Sequence, residues 1–103
     1  MIEFNDSNFD TNIGLTPELV VIDFWSPWCR PCNMLNPIIK SIAEKNSSIV
    51  VGKLNTIENP ITTAKFNISG IPTILFLKEG KIAERLLGYQ TEEKLQKIIE
   101  KLK

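Results

Sequence analysis

The sequence predicts an α/β domain built on a mixed sheet with helices on both faces. Short β-branched runs alternate with segments whose apolar residues recur at helical spacing. The last two apolar runs are joined only by Lys78-Glu79-Gly80-Lys81, which makes them an antiparallel hairpin, whereas earlier runs are joined through helices. At 103 residues there is one domain, 1–103, able to bury roughly 60–70% of the surface its unfolded chain exposes. The expected order is β-α-β-α-β-α-β-β-α.

Residues 2–4 read as a short strand that needs a sheet to join. Asp6 or Ser7 is the expected cap of a short helix with Phe9 and Ile13 on one face, ended by Gly14. Residues 19–25 are apolar and β-branched or aromatic, a strand covered on both faces, and Ser26-Pro27 stops it. A helix over about 30–45 follows, with Met34, Leu35, Ile38, Ile39 and Ile42 inward and Lys40, Glu44 and Lys45 outward. Pro31 suits its first turn, whereas Pro37 removes an interior hydrogen bond and predicts a kink. Asn46-Ser47-Ser48 is the exit turn, and Ile49 to Leu54 the next strand. Asn59-Pro60 starts a short helix as cap and first residue, with Ala64 inward and an end near Asn67. Ile74 to Leu77 and Ile82 to Leu87 are the hairpin strands. Leu95, Ile98, Ile99 and Leu102 make the stripe of the last helix, with Glu92 and Glu93 at its start and Lys101 and Lys103 at its end.

Composition removes several classes of function. Twelve basic and twelve acidic residues cancel, so no nucleic acid or anionic membrane partner is expected. The absence of histidine removes Ser-His and Cys-His catalysis and most zinc sites. Met1 to Asp6 lacks the features of a signal peptide, and no apolar run approaches the ~20 residues of a membrane span. A small cytoplasmic protein is expected, where a cysteine pair points to redox or metal chemistry more often than to a structural bridge.

The two cysteines, Cys29 and Cys32, sit three apart between a strand and a helix. Positions i and i+3 share a helical face, about 5–6 Å apart at Cβ, so a modest closure makes a disulfide. A helix N-terminus stabilises a thiolate through unpaired N–H groups and the dipole. Cys29, at the loop–helix junction, is the expected nucleophile, and Cys32 the resolving thiol. The competing reading is half of a zinc or iron–sulfur site completed by a second copy, although no second ligand cluster supports it.

Asp23 lies inside an apolar strand, either buried or on a solvated face, and the pattern does not choose. If buried, its raised pKa suits it to accept the proton of Cys32, with Lys53 as charge partner. Lys53 has a plainer reading as a snorkelling edge residue. For Ile71-Pro72 the statistical default is a trans bond. Trp28 belongs to a docking surface and Trp25 to the core.

Over essentially its full length the chain resembles a thioredoxin. The matching pieces are Val21-Ile22-Asp23-Phe24-Trp25, Trp28-Cys29-Arg30-Pro31-Cys32, Pro37, Lys53-Leu54-Asn55, Asn59-Pro60, Gly70-Ile71-Pro72-Thr73 and Gly88. The resemblance implies the thioredoxin fold, a central five-stranded mixed sheet flanked by four helices. It implies Cys29 as attacking thiolate, Cys32 as resolving thiol, Asp23 as buried proton shuttle beside Lys53, and Pro72 as a cis-proline against the disulfide. Substrates are implied to lie along Gly70-Ile71, with Trp28, Arg30, Pro31, Gly88 and Tyr89 completing the surface.

The chain departs from the family pattern near the site. Arg30 stands where glycine is usual, Asn33 where lysine often follows the second cysteine, Ser26-Pro27 for a small-acidic pair, and Tyr89 where a small residue is common. Arg30 favours the Cys29 thiolate by roughly 1 kcal/mol or less, a change of about 20 mV or less toward a better oxidant. The alternative expectation for Arg30 and Tyr89 is a role in partner choice.

The implied function is a general protein-disulfide reductase and electron carrier, expected as a monomer without metal or cofactor beyond the Cys29–Cys32 disulfide. It acts on disulfide-containing proteins and is recharged by a thioredoxin reductase, since no nucleotide-binding signature lies in the chain. The alternatives are a disulfide oxidase or isomerase, and a non-catalytic binding module using Trp28, Ile71-Pro72 and Tyr89.

Overall fold

The computed structural model describes residues 1–10 and 16–103. Among these residues eight elements run in the order β1 (Ile2–Phe4), β2 (Val20–Trp25), α1 (Arg30–Lys45), β3 (Val50–Asn55), α2 (Pro60–Lys65), β4 (Thr73–Lys78), β5 (Lys81–Leu87) and α3 (Glu92–Leu102). The five strands form one sheet in the order β1-β3-β2-β4-β5. β1, β3 and β2 are parallel, while β4 and β5 are antiparallel additions. This is the expected mixed sheet. Three helices lie among the described residues, and most of the fourth expected one falls outside them, Ile13 and Gly14 included.

Alternation along β2 divides the core. Val20, Ile22 and Phe24 face a cluster with Phe4, Phe9, Leu54, Phe66, Leu75 and Leu77. Leu19 and Val21 face the other, with Leu35, Ile39 and Ile42 of α1, Ile74 and Phe76 of β4, and Leu95 and Ile99 of α3. A one-residue slip would exchange these two sets, so burial on both faces fixes the register. Gly52 is required by close approach: a Cβ there would meet Ile2 O at 2.6 Å and the Phe4 ring. The missing side chain lets β1 pair with β3.

Several expected details differ. Asn5, not Asp6 or Ser7, starts the first helical turn. Its side-chain oxygen accepts from Ser7 N at 2.9 Å and Asn8 N at 2.8 Å, and its carbonyl accepts from Phe9 N at 3.0 Å. Asp6 instead caps α2, 56 residues on: its carboxylate accepts Thr62 N at 2.8 Å, Thr62 Oγ1 at 2.7 Å and Ile61 N at 3.2 Å. Asn59 precedes Pro60 but makes no side-chain cap. Its amide donates to Asn55 O at 3.0 Å, and its side-chain oxygen accepts Asp6 N at 2.9 Å. Ala64 is exposed and Thr62 carries the buried face of α2. Met34 is exposed as well, because the inward stripe of α1 runs Cys32, Leu35, Ile39, Ile42. The span of α1, Arg30–Lys45 with Pro37 inside it, is the expected one.

Burial raises the Asp6 carboxyl, but the hydrogen bonds from Thr62 and Ile61 outweigh it and leave the pKa below 3.8. Asp6→Ala is therefore expected to cost about 1–2 kcal/mol in urea denaturation at pH 7. Because the folded pKa is the lower one, that difference is fully present above about pH 4 and fades as pH falls through the folded value.

Candidate active site

The sheet gathers the candidate residues at one end. Phe24 is opposite Thr73, and Thr73 is opposite Leu87, so the chain leaving β2, entering β4 and leaving β5 emerges together. Trp25 pairs with Asn55 on the other side, and Trp25 O accepts Thr56 N at 2.9 Å. Four loops therefore meet where β2 and β3 end, the position at which open α/β sheets present ligand sites.

The first loop carries the cysteines. Cys29 N donates to Ser26 O at 3.2 Å, and Asn33 Nδ2 reaches back to Pro27 O at 3.3 Å, closing the turn after β2. Cys29 is the N-cap of α1, and its sulfur accepts Cys32 N at 3.2 Å, a place usually taken by a side-chain oxygen. Cys29 and Cys32 form a disulfide with Cα atoms 5.2 Å apart. Cys32 is buried, Cys29 half-buried, and Arg30 and Pro31 exposed. Trp28 is 86% exposed beside them.

The opposite wall is the turn into β4. The Ile71–Pro72 bond is cis, against the statistical default and as the resemblance implies. Thr73 Oγ1 donates to Gly70 O at 2.5 Å, and Pro72 O accepts Gly88 N at 2.8 Å. Gly88 has φ +92°, a conformation glycine adopts without strain. Pro72 is buried, Gly70, Ile71 and Gly88 half-buried, and Tyr89 exposed. A groove of about 280 Å³ lined by Thr56, Thr63, Ile68, Ser69, Gly70 and Ile71 lies behind this turn. A second groove, about 720 Å³ between α1 and α3, lies at the Lys45 end of α1, about 20 Å from the cysteines at a rise of about 1.5 Å per residue. Its charges are already paired, Lys45 with Glu92, Lys97 with Glu93 and Lys103 with Glu100.

Asp23 is buried, at 1% exposure, on the face of β2 that α1 covers. It shares that face with Val21 and Ile74, below the stripe that begins at Cys32. Its Oδ1 has no hydrogen-bond partner. Burial raises its carboxyl from 3.8 to about 7, outweighing the lowering effect of Lys53. Lys53 is its register neighbour on β3, but the ammonium makes its ion pair with Glu3 Oε1, at 3.5 Å. It also lies over the Trp25 ring, 4.7 Å from the centroid. Trp25, expected in the core, is half-buried and its Nε1 lacks a partner. Glu3 and Trp25 were not legible as site neighbours, because strand pairing alone brings them to Lys53.

The strand–loop–helix dithiol, cis-proline turn and buried carboxylate coincide with a family match. The thioredoxin family model matches residues 1–101. The chain belongs to the thioredoxin family. It is 39% identical over 102 residues to a thioredoxin of Staphylococcus saprophyticus, covering 98% of this chain and 96% of that one. A thioredoxin of Alicyclobacillus acidocaldarius is 43% identical over 93 residues, covering 88% and 87%. One from Chlorobaculum thiosulfatiphilum is 36% identical over 99 residues, covering 95% and 92%. The family and the Cys29–Cys32 disulfide together make this chain a thiol–disulfide oxidoreductase.

The Asp23 environment makes a pH-dependent stability prediction. The folded state holds this proton more tightly than the unfolded chain, so its stabilising effect, complete below about pH 4, is lost as pH rises from 3.8 to about 7. A rise of about three pH units corresponds to roughly 4 kcal/mol. Asp23→Asn is expected to be more stable than the parent by about 2–4 kcal/mol at pH 8, with the gap closing below pH 4. Urea denaturation at the two pH values checks this, and a gap independent of pH contradicts it.

Proposed function

We propose that this thioredoxin-family chain reduces protein disulfides with Cys29 as nucleophile, Cys32 as resolving thiol and Asp23 as proton acceptor. The observation carrying the reading is the Cys29 sulfur at the α1 N-terminus, accepting the Cys32 amide at 3.2 Å. In the reduced protein that amide and the helix dipole favour a thiolate. The Cys29 thiolate attacks one sulfur of the substrate disulfide, and the other leaves as a thiolate. Asp23 then takes the proton of Cys32, and Cys32 attacks Cys29 Sγ, releasing the second substrate thiolate. Two electrons have passed to the substrate, and the chain holds the disulfide.

The surface suits an extended substrate. Trp28, Arg30 and Pro31 are exposed beside the sulfurs, while Gly70 and Ile71 supply backbone at the start of β4. Backbone pairing there, with Pro72 as the cis turn and Gly88 and Tyr89 as the far wall, tolerates many sequences. A thioredoxin reductase returns the two electrons, and the reading includes a monomeric electron carrier in a reducing, cytoplasmic setting.

In dithiothreitol-driven insulin reduction the parent is expected to accelerate precipitation, while Cys29→Ser and Cys32→Ser do not. Cys32→Ser should accumulate a mixed disulfide with protein substrates, seen as an adduct that dithiothreitol releases. Equal trapping by Cys29→Ser would overturn the assignment of the two sulfurs.

A further inference from the structure

The charges around Asp23 extend one strand further than the proposed reaction uses. Glu3 pairs with Lys53 across β1 and β3, and Lys53 pairs with Asp23 across β3 and β2. Partners in adjacent parallel strands project on the same face, so three charges form a ladder at about 4.8 Å per strand. Lys53 thus has a carboxylate on either side. It joins the outer one, at 3.5 Å from Glu3 Oε1, and makes no ion pair with Asp23.

The direction of that choice follows from solvation. The Glu3 side chain is 67% exposed and that of Lys53 is 18% exposed, while Asp23 is buried. An ammonium keeps more of its hydration at the sheet edge than beneath α1. The ammonium also lies over the ring of Trp25, a residue of β2, 4.7 Å from its centroid. Lys53 is the charge that acts on Asp23. The register neighbour of Asp23 on the other side, Ile74 of β4, is uncharged.

We propose that Glu3 is a positioning residue for the proton-transfer step: it holds the Lys53 ammonium toward the sheet edge and so keeps it from pairing with Asp23. The proposal rests on the reading of Asp23 as proton acceptor for Cys32. Two effects of Glu3 have the same sign. Its carboxylate draws the cation away from Asp23, and its own negative charge, two strand spacings off, disfavours a second carboxylate.

The test is a carbon-13 NMR titration of the Asp23 carboxyl in the oxidised protein at low salt, with Asp23→Asn identifying the signal. Glu3→Gln is expected to lower the midpoint by about 0.5 pH unit, about a threefold change in the protonation equilibrium. Lys53→Met is expected to raise the midpoint, and in that background Glu3→Gln should move it by less than half as much. An unmoved or raised midpoint in Glu3→Gln overturns the proposal. So does an equal shift in both backgrounds, which would leave Glu3 a distant charge with no hold on Lys53. The titration reads Asp23 whether or not the chain reduces disulfides, so failure here is distinct from failure of the reductase assay.

Discussion

The chemistry depends on where α1 begins. Cys29 takes the place that a serine or aspartate would usually fill, with its sulfur 3.2 Å from the Cys32 amide. The helix can hold that point because its other face is locked: Leu35, Ile39 and Ile42 sit in a core shared with Val21, Ile74, Phe76 and two residues of α3. Loosening that stripe would move the amide relative to the sulfur. The apolar core thus supports the reactive thiol through the helix, without touching substrate.

The second constraint is a buried carboxyl on the same face of the sheet. An isolated charge there is costly, and the protein meets the problem by raising the Asp23 pKa to about 7 rather than by pairing it. Lys53 is adjacent but engaged with Glu3. An Asp23–Lys53 ion pair would favour the ionised acid and remove the proton-carrying form at neutral pH. Stability and proton transfer therefore pull in opposite directions at this residue.

The sheet was legible because its signals are local. The β-branched runs, the Lys78–Lys81 link and the stripe of α3 each lie within a few residues, and all appear at the expected places. The cysteine pair was legible for the same reason. What strand pairing alone creates was not. Nothing local marks Asp6 as the cap of a helix 56 residues later, or Glu3 as the partner of Lys53. Met34 looked inward because apolar spacing in α1 fits two neighbouring stripes, and the stripe containing Cys32 won. The cis bond at Pro72 is invisible to periodicity and came only from the family resemblance.

The most direct measurement is the pH dependence of iodoacetamide alkylation of Cys29 in the reduced protein. A thiolate held by the amides of α1 predicts a midpoint near or below about pH 7 and a rate at pH 7 well above that of an unstructured peptide thiol. A midpoint near 8.5, with alkylation no faster than in such a peptide, would contradict the account.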